Sequence, residues 1–167
     1  MTMDLWGKVV YSGAQWLDRE SGPMLLGEYE HTIDDKNRLT LPAKFRQAFE
    51  NGIVVTRGLD GCLYAWTPAA WENYRDTTLS ALHPLSQEGR RMHRHFFSGA
   101  SETAPDKQGR VSIPPSLLQH AKLGRDVVVA GVNDRLEIWD RAAWKRELAE
   151  VEGSAEDVAE RLAAQGS

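Results

Sequence analysis

Two stretches of the chain share one order of apolar and polar positions. Each predicts an extended segment, a polar turn, a short strand with period-2 alternation, a helix that begins at proline and ends at glycine, a β-branched strand, and a last strand ending at tryptophan. In the first stretch these segments are 25–33, 34–38, 39–41, 42–52 and 53–56, and the last strand ends at Trp66. In the second stretch they are 98–104, 106–110, 111–113, 114–124 and 127–129, and the last strand ends at Trp139.

The two stretches are also a repeat at the level of identity. Fifteen residues of the 45 at positions 27–71 recur further along the chain, where composition alone would give about three. The recurring residues are Gly27, Glu30, Asp34, Arg38, Pro42, Gln47 and Gly52 at a shift of 72, and Val54, Val55, Gly58, Leu63, Trp66, Ala69, Ala70 and Trp71 at a shift of 73, with one extra residue near Arg125. One ββαββ unit of this size is too small to be stable alone, so two units must share a core.

The repeat predicts an α+β protein with helices at its periphery. Between the units, helices are expected at 68–82 and 86–97, separated by Pro84, and a charged, alanine-rich helix is expected after Trp144. We divide the chain into an N-terminal extension (1–23) that is expected to be disordered, the first repeat (28–73), a helical connector (74–97), the second repeat (99–144), and a C-terminal helix and tail (145–167).

Composition and charge limit the classes of function. The 167 residues carry 20 Lys and Arg against 24 Asp and Glu, a net charge of −4 that by itself argues against nucleic acid. The excess of acids lies at the two ends, because residues 24–144 are neutral. The lone Cys62 excludes an internal disulfide framework and a cysteine zinc site, and indicates a reducing cytoplasm. No signal peptide or membrane-spanning run is found, so no membrane partner is expected.

The polar turns share an Asp-x-x-x-Arg motif, Asp34 with Arg38 and Asp106 with Arg110. An aspartate that opens a tight turn accepts backbone N–H groups two residues on. The residue before each arginine is Asn37 or Gly109, the types that most readily adopt positive φ, so these four turn-forming residues predict sharply curled hairpin tips. Each arginine either forms an ion pair within its hairpin, worth about 0–1 kcal/mol, or points outward.

The cations around the first turn favour a role in binding. Residues 36–46 carry Lys36, Arg38, Lys44 and Arg46 and no acid, whereas residues 108–118 carry only Arg110. A basic hairpin beside a basic short helix is suited to phosphate contacts, and arginine is the side chain best shaped for guanine in the major groove, which a β-ribbon can enter. We therefore expect Arg38 to contribute more than Arg110.

Other groups of residues give weaker indications of function. His93 and His95 point to different faces of a helix, so no metal site is expected, and Arg90, Arg91 and Arg94 are interpreted as a solvated helix surface. Cys62 and the repeated tryptophans are interpreted as structural, and Trp6 and Trp16 are unexplained. No catalytic or nucleotide-binding motif is present, so we expect no enzyme, cofactor or small-molecule substrate.

Five stretches of the chain form a recognisable set: Met24-Leu-Leu-Gly-Glu-Tyr, DDKNRLTLPAKFR (34–46), RHFFSGA (94–100), DKQGRVSIP (106–114) and LEIW (136–139). By these stretches, residues 24–144 resemble the bacterial MraZ family of transcriptional regulators. It implies a double AbrB-like swapped-hairpin β-barrel module, ring-like assembly of identical subunits, and binding of double-stranded DNA at short G-rich direct repeats. It also implies a repressor of the division and cell-wall gene cluster, including its own promoter, that is cytoplasmic and associated with the nucleoid.

By position, the resemblance implies that Arg38 and Arg110 contact DNA, with Lys36 beside the first. Asn37 stands where the family usually has glycine, and the family usually begins at the position of Met24. A second hypothesis is a structural or protein-interaction ring whose basic tip docks an acidic partner. Sequence-specific competition by G-rich repeats, together with salt dependence, discriminates the two.

Overall fold

The structure, a computed structural model, describes residues 2–3, 9–10 and 22–166. The N-terminal extension 1–23, for which disorder is expected, lies mostly outside the described residues. Trp6 and Trp16 lie entirely outside them. The strands are β1 (Thr2–Met3), β2 (Val9–Val10), β3 (Leu25–Thr32), β4 (Arg38–Thr40), β5 (Ile53–Arg57), β6 (Leu63–Trp66), β7 (Ser101–Thr103), β8 (Arg110–Ser112), β9 (Asp126–Asn133) and β10 (Leu136–Asp140). The helices are α1 (Pro68–Thr77), α2 (Gln87–Phe97), α3 (Pro115–His120) and α4 (Arg141–Gln165), with 3-10 turns at Ala43–Phe45 and Leu79–Ala81.

The main sheet is shared strand by strand between the two repeats. Its order is β3-β9-β10-β6-β5-β7, and all of its neighbouring strands pair antiparallel. The first strand of the first repeat, β3, therefore pairs with the second repeat, and the first strand of the second repeat, β7, pairs with the first. Neither repeat has a complete sheet of its own. The architecture is a mixed α+β fold, as predicted.

A second, two-stranded ladder joins the strands that follow the two Asp-x-x-x-Arg turns. In it β4 and β8 pair antiparallel, with Leu39 opposite Val111 at the centre. Both central side chains are buried in the main core. The backbone N–H of Leu41 donates to the carbonyl of Gly109 at 2.8 Å, and the pairing thus continues past the ladder into a turn of the other repeat.

Strand register corrects the repeat alignment over one segment. Trp66 pairs with Val54 in the first repeat, and Trp139 pairs with Val128 in the second. Val54 is therefore equivalent to Val128, a shift of 74, and the alignment of Val54 with Val127 at a shift of 73 is wrong by one residue. A run of three valines, 127–129, hides this difference in the sequence.

The core lies in two parts. One fills the space between the main sheet and the short ladder, and includes Leu39, Phe45, Phe49 and Val111. The other contains the buried Trp66 and Trp139, as predicted for these tryptophans. Trp71 and Trp144, which were also expected in the core, are only half-buried against this second part.

The helices differ in length from the sequence expectations. The predicted helix at 68–82 ends as α1 at Thr77 and continues as a 3-10 turn, whereas α2 covers the segment expected as helix, beginning one residue later at Gln87. The predicted helix after Pro42 is a 3-10 turn, since Phe45 and Phe49 donate to carbonyls three residues before them. Across the described part of the chain, no helix has the length and apolar character needed to span a membrane.

Candidate nucleic-acid interface

The first turn is held by the side chain of Asp34. Its Oδ1 accepts the backbone N–H groups of Lys36 and Arg38, both at 2.9 Å, and its Oδ2 accepts the Nε–H of Arg38 at 2.8 Å. Asn37 adopts φ 59°, the left-handed conformation that the sequence predicts there. One carboxylate therefore fixes both the backbone of the turn and the direction of the arginine that leaves it.

The second turn repeats this geometry closely. Asp106 Oδ1 accepts the N–H groups of Gln108 and Arg110, both at 2.9 Å, and its Oδ2 accepts the Nε–H of Arg110 at 2.7 Å. Gly109 adopts φ 76°. The same turn geometry is present at both copies, and each contains an ion pair within its hairpin.

These bonds stabilise the ionised form of both aspartates. The backbone N–H of Arg38 is the largest cause that lowers the pKa of Asp34, ahead of its guanidinium and the N–H of Lys36, while desolvation opposes them. The same groups around Arg110 lower the pKa of Asp106. Both turns are accordingly built around a charged carboxylate.

The short ladder brings the two arginines onto one face. Because side chains alternate along a strand and the central pair of the ladder points inward, Arg38 and Arg110 point outward. Arg38 lies directly opposite Ser112, and Arg110 lies directly opposite Thr40. The outer face of the ladder thus carries two guanidinium groups and two hydroxyl groups, related by the two-fold symmetry of the repeat.

The ion pairs leave most of each guanidinium available. Arginine has five N–H donors, and each ion pair uses only the Nε–H. Among the described residues, no partner is found for the terminal nitrogens of Arg38 or Arg110. Their side chains are 26% and 29% exposed. The aspartates therefore orient the arginines without occupying the donors that a base edge would accept.

Arg46 lies at the tip of the other repeat. Its Nε–H donates to the carbonyl of Leu41 at 3.1 Å. A Cβ added at Gly109 would come within 2.9 Å of the Arg46 Cδ, so the side chain runs across that turn. Arg46, predicted as a contact beside the first turn, lies against the second turn and is exposed.

The remaining charges divide between the tips more evenly than the sequence comparison indicates. Lys36 and Lys44 are exposed, as a phosphate contact requires. Asp35 is also exposed at the first tip, and Lys107 takes the equivalent place at the second. Asp35 and Lys107 each lie one residue before the two ranges compared in the sequence, 36–46 and 108–118, so that comparison does not count them. Lys107 could have been recognised from the sequence, because it lies within the second Asp-x-x-x-Arg motif, directly after Asp106.

Comparison with known proteins relates this geometry to one family. The family model described as "MraZ protein, putative antitoxin-like" matches twice, at residues 24–93 and 96–165. The protein named "Transcriptional regulator MraZ" from Ligilactobacillus salivarius is 45% identical over 139 residues, which cover 83% of this chain and 96% of that protein. A protein of the same name from Roseiflexus castenholzii is 44% identical over 140 residues, covering 84% and 97%. The chain belongs to the MraZ family.

Each MraZ match contains one complete turn, Asp34 to Arg38 or Asp106 to Arg110. The outer face of the β4–β8 ladder is therefore built by two copies of the family unit, one strand from each. Asn37, which departs from the glycine usual in MraZ, keeps the left-handed conformation, so the departure leaves the turn intact.

His93, His95 and Cys62, the weaker candidates for a functional site, have surroundings that the MraZ fold explains. The Nε2 atoms of His93 and His95 lie 2.9 Å from two different carbonyls, of Leu79 and Gly58, in agreement with the prediction that they face apart. In the part of the chain that the structure describes, no three potential metal-ligating side chains come together. Cys62 is fully buried, and desolvation raises the pKa of its thiol.

Proposed function

We propose that this protein is a DNA-binding transcriptional regulator that represses the division and cell-wall gene cluster, including its own promoter. It acts on double-stranded DNA at short G-rich direct repeats, as a homo-oligomer in the cytoplasm and at the nucleoid. The names of its relatives support the regulatory class. The observation that carries DNA contact is the paired outward face of β4 and β8.

The ladder has the shape that the major groove accepts. That groove is about 12 Å wide and admits a two-stranded β-ribbon. Arg38 and Arg110 are offset by two positions across the paired strands, so their guanidinium groups can reach two different base pairs. Arginine donates a bidentate pair of hydrogen bonds to guanine O6 and N7, which matches a G-rich site.

The other predicted residues take supporting parts. Lys36, Lys107 and Lys44 are exposed cations suited to phosphate contacts, which give affinity without reading sequence. Asp34 and Asp106 are positioning residues, since each holds the Nε–H of one reading arginine. The left-handed Asn37 and Gly109 allow each turn to close. Arg46, which lies against the second turn, is a further exposed cation for DNA contact.

We assign the fold to the AbrB-like swapped-hairpin class, with the main sheet closing towards a barrel. The exchange of first strands between the repeats supports this assignment, because each repeat completes the sheet of the other. The β4–β8 ladder is likewise built from both repeats. The double module thus has a single two-stranded ribbon, with one strand from each repeat.

Assembly of several subunits multiplies a weak contact. One ribbon offers two reading arginines, which is too little for tight specific binding. Subunits on neighbouring direct repeats bind as a linked set, so affinity rises with the number of ribbons engaged. An oligomer also repeats the basic tips once per subunit, so several local clusters of positive charge meet the DNA although the net charge of each chain is −4.

Protection mapping on the DNA upstream of this protein's own gene tests the proposal. We expect protected G-rich direct repeats that a scrambled competitor does not release, and binding that weakens as salt rises. Protection of random DNA to the same extent would contradict sequence specificity. The absence of binding to any duplex would favour the alternative, a ring whose tips dock an acidic protein.

A further inference from the structure

The β4–β8 ladder has a local two-fold axis at its centre. The axis passes between Leu39 and Val111 and exchanges the two ends of the ladder, so that Arg38 takes the place of Arg110. A DNA-binding element with two-fold symmetry fits a site with the same symmetry, which in duplex DNA is an inverted repeat. Direct repeats have no such axis, because every copy runs in the same direction. A ribbon that recognises direct repeats must therefore have two ends that differ.

The two arginines do not supply this difference. Arg38 and Arg110 are each held through the Nε–H by an aspartate, at 2.8 Å and 2.7 Å. Their side chains are also almost equally exposed, at 26% and 29%. Two guanidinium groups in matching positions donate to guanine equally well at either end of the ladder. By themselves they would allow the ribbon to lie on its site in both directions.

The charged residues of the tips do differ, but they lie outside the ladder. The first tip carries Asp35 and Lys36 where the second carries Lys107 and Gln108. All of them lie in the turns that precede β4 and β8, beyond the ends of the ladder and towards the phosphates that border the groove. Phosphate contacts position a protein without distinguishing one base from another. The charges of the tips therefore strengthen binding and leave its direction along the base sequence undetermined.

The outer face of the ladder contains one further difference, a single methyl group. Within 38–40 and 110–112 the outer positions are the two arginines, Thr40 and Ser112. Thr40 and Ser112 both bear a hydroxyl, and threonine has a methyl in addition. Thr40 lies directly opposite Arg110, whereas Ser112 lies directly opposite Arg38. Only one of the two arginines thus has a methyl group beside it on this face.

We propose that Thr40 gives the ribbon its direction by contacting the C5-methyl of a thymine next to the guanine that Arg110 contacts. Thymine is the only base with a methyl group in the major groove, and the threonine methyl is one of the groups that packs against it. Ser112 has no methyl, so the base next to the guanine of Arg38 is not selected in this way. This inference rests on the proposed function, because it concerns DNA bound on the same ladder.

One methyl contact is enough to orient a linked set of ribbons. Removing one methyl group from water favours the correct direction about fourfold for a single ribbon. Because the preferences of linked subunits multiply, two engaged ribbons favour it about 16-fold. Subunits that all carry Thr40 at the same end then face the same way along the DNA. This arrangement matches direct repeats rather than inverted ones.

Replacement of thymine by deoxyuridine tests the contact, because deoxyuridine lacks only the methyl group. The probe is a duplex with one G-rich repeat that is protected upstream of this protein's own gene, with each thymine replaced in turn. We expect one position at which the unchanged chain binds about fourfold more weakly in a gel shift. A repeat without thymine next to a guanine, or equal binding to all of the substituted duplexes, would overturn the proposal.

The variant Thr40→Ser removes the same contact from the protein side. It should bind the thymine duplex about fourfold more weakly than the unchanged chain does. It should also bind the thymine and deoxyuridine duplexes equally, since either change alone removes the whole contact. Ser112→Ala is the matched control at the other end and should keep the full sensitivity to deoxyuridine. A Thr40→Ser variant that remained sensitive at the same base would refute the proposal.

The direction of the bound ribbon is measured with a cleavage reagent at one tip. Iron–EDTA attached to a cysteine cuts nearby DNA, and the natural Cys62 is fully buried and does not compete for the reagent. With Asp35→Cys we expect cuts on one side of the repeat, and with Lys107→Cys we expect them on the other side. Adding Ser112→Thr to the Asp35→Cys chain makes the two ends of the outer face alike, so cuts are then expected on both sides. Cuts on both sides without Ser112→Thr would contradict the assigned direction.

The same measurements separate this inference from the proposed function. If the unchanged chain protects no G-rich repeat, both fail. If it protects G-rich repeats against a scrambled competitor but is insensitive to the thymine methyl, only the role of Thr40 fails. Urea denaturation of Thr40→Ser, Ser112→Ala and Ser112→Thr verifies that these variants keep the stability of the unchanged chain.

Discussion

Arg46 of the first repeat lies across Gly109 of the second, with its Nε 2.7 Å from the place where a Cβ would stand. Because Gly109 also adopts φ 76°, Gly109→Ala introduces both a close contact and a strained backbone. We expect a loss of unfolding free energy of about 1–2 kcal/mol, mainly from the backbone, since the flexible arginine can move. Urea denaturation measures it. Asn37→Gly at the equivalent tip is the matched control and should be nearly neutral.

Replacing either reading arginine should weaken binding to the promoter repeats. For Arg38→Ala we expect a loss of about 1–3 kcal/mol per ribbon, roughly 5- to 150-fold, with size-exclusion behaviour unchanged. Gel shifts with specific and scrambled duplexes measure the loss. Arg75→Ala removes an exposed cation on α1 and is the control. Retained specific binding by Arg38→Ala would remove that residue from the interface.

The comparison of Arg38→Ala with Arg110→Ala decides how unequal the two tips are. The linear charge pattern predicts less harm from Arg110→Ala, whereas the structure gives the second tip Lys107 and the adjacent Arg46. On the basis of the structure we expect the two variants to lose similar amounts of binding free energy, about 1–3 kcal/mol each, so that their affinities differ by no more than about threefold. A loss confined to Arg38→Ala would restore the asymmetry read from the sequence.

Acidic pH should loosen both hairpin tips. The folded pKa of Asp34 and of Asp106 lies below the unfolded value, so their bonds stabilise the fold above about pH 3.9 and are lost as pH falls through the folded pKa. Between pH 6 and pH 3 the unfolding free energy of the unchanged chain should fall more steeply than that of the variant Asp34→Asn with Asp106→Asn. Equal slopes in urea titrations would show that these carboxylates add nothing to stability.

The two sides of the short ladder should separate stability from binding. Leu39 is fully buried, and Leu39→Ala should lower the unfolding free energy by about 2–5 kcal/mol. Thr40 is its neighbour on the outer face, and Thr40→Ser keeps the hydroxyl, so little change in stability is expected. Chemical denaturation gives both values, and a comparable loss in Thr40→Ser would contradict the assignment of faces.

Local features of this fold could be predicted from the sequence because their causes are local. The turn at Asp34 depends on a carboxylate and a left-handed residue within five positions, and these are visible in the chain. The position of Arg46 was missed because it depends on pairing between β4 and β8, which are about 70 residues apart. The half-exposure of Trp144 was missed for a similar reason, since it depends on which sheet face α4 covers.

The exchange of first strands has a consequence for how the chain folds. Leu25 at the start of β3 pairs with Asn133 at the end of β9. About 100 further residues must therefore be synthesised before β3 can pair with β9 along its whole length. Contacts of such long range slow folding, and during synthesis the first repeat emerges with its apolar strand face unpaired. The main sheet is expected to form only after β9 and β10 have been synthesised, with both repeats closing together in one cooperative step.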